Sequence, residues 1–442
     1  MSKKVVAIVG RPNVGKSTLF NALAGEKIAI IKDIPGVTRD RIYADCQWRD
    51  TSFQIIDTGG IEPESEDVIL KQMRRQAELA MDVADVIVFI TDVRAGVTVS
   101  DEEVAQILRK TKKKVILVCN KCDRVGLPPE DLYEFYNLGL GEPLPISAGK
   151  KLGIGELLDE IYDQFDNITP EIEDEETTRV AIIGKPNAGK SSLVNKILGE
   201  ERVIVSEIAG TTRDSIDTHF ENKFGKYIFV DTAGIRRKNK VYDKLEKYSV
   251  LKAKSAIDKA NVCMIMIDAT EGVTEQDEKI AGLAHEGGKG VIIVINKWDL
   301  LEKETNTLEK YKAEVYNKLA YLTYAPIIFI SAVTGQRVDK IFEMINDVDA
   351  QNKLRVPTGL LNDVLADAVA ITQPPSDKGK RLKVYYMTQV STRPPTFVIF
   401  VNSKDLMHFS YTRYIENHLR KQFGFKGTPI HMIIRERKKD KK

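Results

Sequence analysis

The stretch Gly10-Arg11-Pro12-Asn13-Val14-Gly15-Lys16-Ser17 decides the fold of the first part of the chain, and the chain contains a second, closely similar stretch. The second copy lies 174 positions later and reads Gly184-Lys185-Pro186-Asn187-Ala188-Gly189-Lys190-Ser191. Each copy follows a short apolar run, such as 5–9, and precedes a stretch with helical character. Strand, glycine-rich loop and helix in this order are the context of a Walker A phosphate-binding loop. The sequence therefore predicts two nucleotide-binding sites on one polypeptide.

The repeat continues beyond these loops through four further motifs. A Gly-x-Thr-Arg-Asp segment and an Asp-Thr-x-Gly-Ile segment are repeated after 174 positions, an Asn-Lys-x-Asp tetrad after 176 and a Ser-Ala pair after 184. They lie at 36–40 and 210–214, 57–61 and 231–235, 120–123 and 296–299, and 147–148 and 331–332. This long period indicates a duplicated domain rather than a solenoid of short repeats.

Each copy alternates strand-like apolar runs with helical patterns, which predicts an α/β fold with a mostly parallel sheet covered by helices. The runs are 52–56, 86–90 and 115–118 in the first copy, and 227–230, 262–267 and 292–295 in the second. The repeated motifs follow such runs, as expected for ligands that bind at the carboxyl ends of strands.

Composition divides the chain into five segments. An acidic, self-repelling linker is predicted where six acidic and no basic residues occur together. The final segment from Gln351 has 18 Lys or Arg against 7 Asp or Glu, a net charge of +11 that suggests a polyanionic partner such as nucleic acid. We predict a first nucleotide-binding domain at 1–165, the linker at 166–178, a second nucleotide-binding domain at 179–351, a basic domain at 352–436 and a basic tail at 437–442.

The basic domain is predicted to be a small α+β unit with the order helix–strand–strand–helix–strand. The expected elements are 360–371, 382–387, 397–401, 411–422 and 428–434. The Gly424-Phe425-Lys426-Gly427 segment matches the G-x-x-G loop of KH domains, which clamps a nucleic-acid backbone. Here it precedes a strand, where glycine usually terminates a helix, so helix termination is the favoured interpretation.

The sequence has no apolar run of the roughly 18 residues that cross a bilayer, and we expect a monomeric, cytoplasmic protein that does not bind membranes. The four cysteines do not form a disulfide framework. Cys119 and Cys122 have C-x-x-C spacing, but no second pair or suitably spaced histidine accompanies them. A zinc site is therefore not expected.

The phosphate chemistry follows from the residue types. Backbone N–H groups of the loops point at phosphate oxygens, the lysines Lys16 and Lys190 neutralise the β- and γ-phosphates, and the serines Ser17 and Ser191 ligate Mg²⁺. Thr38 and Thr212 are expected to reach the Mg²⁺ when a γ-phosphate is present, and Asp57 and Asp231 to hold the ion through water. Further nucleotide contacts are expected at Thr58, Gly59, Gly60, Thr232, Ala233 and Gly234. Gly60 and Gly234 place an N–H against the γ-phosphate, whose loss releases both segments.

The Asn-Lys-x-Asp tetrads select the base. Asp123 and Asp299 can each accept two hydrogen bonds from the N1–H and N2–H₂ edge of guanine, which adenine lacks. Such buried hydrogen bonds reject an analogue without them by roughly 10⁴–10⁵. Both sites are therefore predicted to bind GTP and GDP. The remaining base-site residues are Lys121 and Lys297 along the base plane, Asn120 and Asn296 between the loops, Ser147 and Ser331, and Ala148 and Ala332, whose N–H groups are expected to meet guanine O6.

These motifs resemble those of translation-factor-like GTPases, and the tandem pair with a small basic domain is similar to the double-GTPase Der (EngA) family. The resemblance covers nearly the whole chain. It implies a GTP-hydrolysing switch that acts on the large ribosomal subunit and its rRNA during assembly, and a KH-like fold for the last domain. Two alternatives stay open: an RNA-modification factor gated by GTP, and a regulator of protein partners without RNA.

Ile61 and Ile235 occupy the position at which many small GTPases have a glutamine that orients the attacking water. Neither side chain can form a hydrogen bond, and the absence of an arginine finger, which contributes about 10³–10⁵ in rate, predicts slow intrinsic turnover. The substitution resembles the class of GTPases that recruit K⁺ in place of an arginine finger. In that class a loop asparagine binds the ion, and Asn13 and Asn187 match it. Ordinary hydrogen bonding within the loop is the alternative role for these two asparagines.

Overall fold

The computed structural model describes residues 4–24, 43–58, 69–111, 113–123, 130–166, 177–199, 217–232, 246–302, 304–377 and 379–437. The chain forms two compact units, Met1–Glu173 and Asp174–Lys442. The second unit contains both the second α/β domain and the basic domain. The five segments inferred from composition stay a prediction. Within the described ranges, every helix is too short or too polar to traverse a lipid bilayer.

The first unit is built on a six-stranded sheet in the order β2-β3-β1-β4-β5-β6. Only β2 runs antiparallel to its neighbour. The strands are β1 Lys4–Val9, β2 Tyr43–Trp48, β3 Thr51–Asp57, β4 Val86–Asp92, β5 Lys114–Asn120 and β6 Leu144–Pro145. The helices are α1 Lys16–Ala24, α2 Ile69–Val83, α3 Val99–Leu108 and α4 Ile154–Asp166, with 3₁₀ segments at Val93–Ala95 and Glu130–Leu138.

The second α/β domain repeats this topology, since its sheet order β8-β9-β7-β10-β11-β12 matches that of the first sheet strand for strand. The strands are β7 Thr177–Ile183, β8 Thr218–Asn222, β9 Gly225–Val230, β10 Val262–Asp268, β11 Gly290–Asn296 and β12 Ile327–Phe329. The helices are α5 Lys190–Leu198, α6 Glu246–Lys259, α7 Glu275–Glu286, α8 Thr307–Lys318 and α9 Asp339–Lys353, with 3₁₀ segments at Trp298–Leu300 and Ala320–Leu322. The predicted duplicated α/β fold is confirmed.

Burial explains why the central strands are apolar along their whole length. All seven residues of β10 are buried, and the strand lies between two core clusters. Cys263 and Ile265 face the cluster that contains α6 and α7, whereas Met264 and Met266 face the cluster that contains α5 and α9. A parallel sheet covered on both faces requires such unbroken apolar strands. The sheet is therefore a rigid base for the loops at its carboxyl edge.

The basic domain has the predicted helix–strand–strand–helix–strand order, with one short addition. Its elements are α10 Thr358–Ile371, β13 Ser376–Asp377, β14 Lys380–Arg381, β15 Val384–Ser391, β16 Thr396–Val401, α11 Phe409–Phe423 and β17 His431–Glu436. The β13–β14 hairpin was not expected from the sequence. The sheet β15-β16-β17 pairs β15 antiparallel and β17 parallel to β16. The last strand was expected from Thr428 but begins at His431, after Pro429, whose ring nitrogen cannot donate a ladder hydrogen bond.

The Gly424–Gly427 segment ends α11 and packs against the second α/β domain. Gly424 follows the helix with a φ of 91°, in the left-handed region that favours glycine. The Gly427 N–H donates to Tyr324 O at 2.8 Å, and the Val291 N–H of β11 donates to Gly427 O at 2.6 Å. Phe425 between these glycines is fully buried. Helix termination is therefore the observed role, and this backbone is occupied by protein contacts rather than presented as a clamp.

We predict that Gly427→Ala loosens the basic domain from the second α/β domain. Both Gly427 and the control residue Gly379 have a positive φ, of 73° and 75°, so alanine costs about 1–2 kcal/mol of backbone strain at either position. A Cβ at residue 427 would lie 2.4 Å from Val348 Cγ2, whereas a Cβ at residue 379 meets nothing within 4 Å. The clash adds about 1–3 kcal/mol for Gly427→Ala alone. Calorimetric unfolding of the full chain should show the larger loss for Gly427→Ala, and equal losses would contradict this packing.

Candidate functional site

Both phosphate loops wrap around the ammonium group of their lysine. Lys16 Nζ donates to Gly10 O at 2.8 Å and to Arg11 O at 2.9 Å. Lys190 Nζ donates to Gly184 O at 2.8 Å and to Lys185 O at 2.7 Å. The two loops therefore have the same closed backbone path, with the lysine charge at the centre of each.

The second glycine of each loop is required for two reasons: its backbone conformation is left-handed, and a Cβ atom would clash with a neighbouring side chain. Gly15 and Gly189 have φ values of 99° and 96°, in the left-handed region. A Cβ on Gly15 would lie 2.4 Å from Asn120 Nδ2, and one on Gly189 would lie 2.0 Å from Asn296 Nδ2. Only glycine fits these positions. The phosphate loop and the base motif are thus in direct van der Waals contact.

A buried asparagine joins three segments in each copy. Asn120 Nδ2 donates to Val14 O at 2.7 Å, and the Ala148 N–H donates to Asn120 Oδ1 at 2.9 Å. The same two bonds recur in the second copy at 2.9 Å each, from Asn296 Nδ2 to Ala188 O and from the Ala332 N–H to Asn296 Oδ1. The expected linking role of the asparagines fits this geometry. The expected contact of the alanine N–H groups with guanine O6 stays a prediction, because here both N–H groups donate to asparagine.

The residues around Lys16 suit a phosphate–magnesium site. Burial lowers the pKa of Lys16 to about 8, and the nearby Asp57 carboxylate opposes this shift. Ser17 Oγ donates to Asp57 Oδ2 at 2.9 Å, so a hydroxyl and a carboxylate lie together beside the lysine. Hard oxygen groups of this kind suit Mg²⁺.

The corresponding region of the second copy differs in detail. Asp231 has a φ of 55°, and its N–H donates to Asp217 Oδ1 at 3.0 Å. Arg179 Nη2 lies 2.9 Å from the other oxygen of Asp217. Thr232 is buried and shares a 2.5 Å hydrogen bond with Thr218, whereas its counterpart Thr58 donates to Ile8 O. Asp217 was not singled out from the sequence because the corresponding position of the first copy is Tyr43, so no repeated acidic residue marks it.

The lysines of the two Asn-Lys-x-Asp tetrads pair with two aspartates that the sequence analysis missed. Lys121 Nζ donates to Asp92 Oδ2 at 2.5 Å, and Lys297 pairs with Asp268 in the same way. Lys121 also donates to Asn13 O at 3.1 Å, which fixes it along the phosphate loop. These aspartates end β4 and β10. The signal that would have found them is a further repeat after 176 positions, Asp-x-x-x-Gly-Val-Thr-x-x-Asp at 92–101 and 268–277.

The last aspartate of that repeat connects a helix to the phosphate loop. Asp101 and Asp277 have no exposed side-chain surface, and each caps its helix by accepting bonds from a threonine, Thr98 or Thr274. Burial raises the pKa of Asp101, and hydrogen bonds from Thr98 oppose the shift. The second loop residue supplies the counter-charge: Arg11 Nε lies 3.6 Å from Asp101, and Lys185 Nζ lies 3.7 Å from Asp277. Buried carboxylates need such a partner.

The two aspartates that are expected to read guanine have different surroundings. Asp123 Oδ1 accepts a hydrogen bond from Ser147 Oγ at 2.5 Å, and Oδ2 forms an ion pair with Arg94. The Ser147 hydrogen bond, with smaller contributions from Lys150 and Arg94, lowers the pKa of Asp123. Asp299 is exposed, and in its copy Ser331 Oγ instead accepts from the Thr334 N–H at 3.1 Å.

Some predicted site residues lie outside the described residues: Thr38, Gly59, Gly60, Ile61, Thr212, Ala233, Gly234 and Ile235. Asn13 and Asn187 are described, and both are exposed at the tip of their loop with φ values of 65° and 64°. Asparagine tolerates this left-handed conformation better than most residues. The geometry therefore suits both the ion-binding and the loop-stabilising role.

The C-x-x-C pair is part of the core. Cys119 and Cys122 are buried, and Cys122 Sγ lies 3.3 Å from Cys119 O. Burial raises the pKa of Cys119 to about 12, so its thiol stays protonated at neutral pH. Among the described residues, no group of three or more His, Cys, Asp or Glu side chains is arranged to hold a metal ion.

The chain is similar to known proteins over its whole length. A family model described as a 50S ribosome-binding GTPase matches residues 5–121 and 179–297, and a model for the KH-domain-like C-terminal part of EngA bacterial GTPases matches 355–435. GTPase Der of Acetivibrio thermocellus and that of Ruminiclostridium cellulolyticum are each 61% identical over 440 residues, with 100% of both chains covered. A solved structure of Era with MgGDPNP and a segment of 16S ribosomal RNA is 25% identical, covers 59% of this chain and 93% of that chain, and has a TM-score of 0.31. The chain therefore belongs to the Der (EngA) family and is a GTPase with tandem GTPase domains and a KH-like C-terminal domain.

Proposed function

We propose that this GTPase acts as a molecular switch in assembly of the large ribosomal subunit, with that subunit and its rRNA as partners. The observation that carries the proposal is the packing of a basic domain against the second GTPase domain, through the Val291–Gly427 and Gly427–Tyr324 backbone bonds. The segment from Gln351 to Lys442, with a net charge of +11, suits a polyanion. The description of the matching family, a 50S ribosome-binding GTPase, supports the same partner. Such a partner implies that the protein works in the cytoplasm.

Each site is proposed to bind GTP or GDP with Mg²⁺. Lys16 and Lys190 neutralise the β- and γ-phosphates, and the loop N–H groups bind phosphate oxygens. When bound, the ion stabilises charge on the phosphates, and the proposed ligands are Ser17, Thr38 and Asp57 in the first site and Ser191, Thr212 and Asp231 in the second. The 2.9 Å contact between Ser17 and Asp57 supports this assignment for the first site.

We predict that Asp123→Asn and Asp299→Asn each convert one site from guanine to xanthine. Asparagine presents a donor where aspartate presents an acceptor, and xanthine has a carbonyl where guanine has its 2-amino group. The affinity of the altered site for GDP should fall on the order of 10⁴-fold, with xanthosine diphosphate bound instead. Calorimetric titration should show two GDP sites in the unmodified chain and one in each variant. Two GDP sites of unchanged affinity in both variants would refute base reading by these carboxylates.

Hydrolysis is proposed to be slow and stimulated by K⁺ bound at Asn13 and Asn187. An arginine finger contributes about 10³–10⁵ in rate, and a monovalent cation beside the phosphates would supply part of this charge. Both asparagines lie exposed at the loop tip, which places their amides at the outer side of the phosphate site.

We predict that GTP hydrolysis is about tenfold or more faster in K⁺ than in Na⁺ at equal ionic strength, since a cation is expected to stabilise developing phosphate charge. Asn13→Gly and Asn187→Gly keep the left-handed backbone and remove the amide, so they separate ion binding from loop conformation. The double variant should hydrolyse GTP at the same rate in both salts and retain its GDP affinity. K⁺ stimulation that survives in the double variant would assign these asparagines the loop-stabilising role.

Nucleotide-dependent sedimentation with ribosomal subunits tests the proposed partner. The unmodified chain should pellet with the large subunit in a non-hydrolysable GTP analogue more than in GDP, and Lys16→Ala and Lys190→Ala should each weaken the difference. Because the contacts involve phosphates, affinity should fall steeply with salt. Binding that depends on neither nucleotide nor salt, or preference for the small subunit, would contradict the proposal.

A further inference from the structure

Arg94 contacts the carboxylate that reads guanine in the first site. It lies in the 3₁₀ turn Val93–Ala95 that follows β4, and its N–H donates to Asp92 Oδ1 at 3.1 Å. The other oxygen of Asp92 accepts from Lys121 of the base motif. From this turn the guanidinium reaches Asp123 Oδ2 through one nitrogen, Nη2. One aspartate, Asp92, thus holds both the turn that carries Arg94 and the lysine of the base site.

The contacts of Asp123 leave room for a base. A carboxylate has about four lone-pair positions, two on each oxygen. Ser147 Oγ uses one on Oδ1, and Arg94 uses one on Oδ2. A guanidinium that bound both oxygens as a fork would occupy the positions that the guanine edge needs, whereas a single contact on each oxygen does not. The carboxylate is therefore held from two sides while one acceptor position on each oxygen stays available.

The second copy has the same turn without the arginine. Thr270 stands where Arg94 stands, and both its N–H and its hydroxyl donate to Asp268 Oδ1, at 2.9 Å and 2.7 Å. Lys297 pairs with the other oxygen of Asp268, as Lys121 does with Asp92. Asp299 is exposed, and among the described residues no side chain donates a hydrogen bond to its carboxylate. Among the residues that the structure describes, the framework recurs in both copies, whereas a cation contacts this carboxylate in the first copy alone.

We infer that Arg94 is a positioning and specificity-determining residue of the first nucleotide site: with Ser147 it fixes the plane of the Asp123 carboxylate and strengthens discrimination for the 2-amino group of guanine. A carboxylate that is already oriented loses less rotational freedom when the base binds. The second site, with a threonine at this position, reads the base with a freer carboxylate. The two sites consequently differ in how strongly they distinguish guanine from related purines.

This inference rests on the proposed guanine reading by Asp123, and inosine diphosphate tests it directly because inosine lacks only the 2-amino group. A change in general stability would alter the affinities for GDP and IDP together. A change in the orientation of the carboxylate alters the affinity for GDP more than that for IDP. The ratio of the two affinities is therefore the informative measurement.

The experiment uses the full chain with fluorescent GDP and IDP. Lys190→Ala weakens the second site so that the first is measured, and Lys16→Ala does the reverse. In the Lys190→Ala background, Arg94→Thr should lower GDP affinity about tenfold, the order of one charge-assisted hydrogen bond. IDP affinity should fall only about threefold, because inosine keeps the N1–H contact with Asp123 but has no 2-amino group. Arg94→Lys, which keeps one charged donor, should retain most of the discrimination. In the Lys16→Ala background, Thr270→Arg should raise the GDP-to-IDP ratio of the second site.

An unchanged ratio in Arg94→Thr, an equal loss for both nucleotides, or tighter GDP binding would each overturn the role of Arg94. Failure of the proposed function has a different signature. If the Arg94-bearing first site binds GDP and IDP equally, reading of the 2-amino group by Asp123 is wrong, and the role of Arg94 falls with it.

Discussion

The buried amides of Asn120 and Asn296 are the constraint on which each nucleotide site depends. Each amide donates to the backbone of the phosphate loop and accepts from the backbone of the Ser-Ala loop, so the phosphate end and the base end of the site are held at a fixed separation. The amides are almost fully buried, and an unpaired buried amide is costly. The close approach of Asn120 to Gly15 also explains why this loop position accepts only glycine. Phosphate binding and base reading are therefore parts of one rigid framework rather than two independent contacts.

The two copies share this framework but differ in some of the residues around the nucleotide site. The lysine cradles, the asparagine ties and the capped helices with Asp101 and Asp277 recur with nearly the same distances. Among the residues that the structure describes, two features of the first copy do not recur. Thr270 occupies the position that corresponds to Arg94, and Asp231, which corresponds to Asp57, has a left-handed backbone. The difference between Arg94 and Thr270 lies at an exposed position, where a substitution changes the stability of the fold little. A difference in base discrimination between the two sites is the outcome that we propose.

The fold and the main motifs could be predicted from the sequence because they depend on local patterns. These patterns are the spacing of glycines, the alternation of strand-like and helical segments, and the repeated Asn-Lys-x-Asp tetrad. Asp92 and Asp268 were missed because they end buried strands, where a single acidic residue gives no periodic signal, and only comparison of the two copies reveals them. The Gly424–Gly427 segment was ambiguous for a different reason. The same glycines suit a nucleic-acid clamp and a helix end, and the long-range contact with Tyr324 and Val291 decides between them. That contact joins residues more than a hundred positions apart, which no local pattern encodes.

The docking of the basic domain also connects it to a nucleotide site through one strand. β11 begins beside Val291, which donates to Gly427, and ends at Asn296, which holds the second phosphate loop. The strand has seven residues and spans about 20 Å. It is buried along its length and paired on both sides, so it transmits displacement as a rigid element rather than absorbing it. A displacement of the proposed RNA-facing domain would therefore act at the start of β11, whose other end carries Asn296 of the second base motif. The first nucleotide site belongs to a separate compact unit.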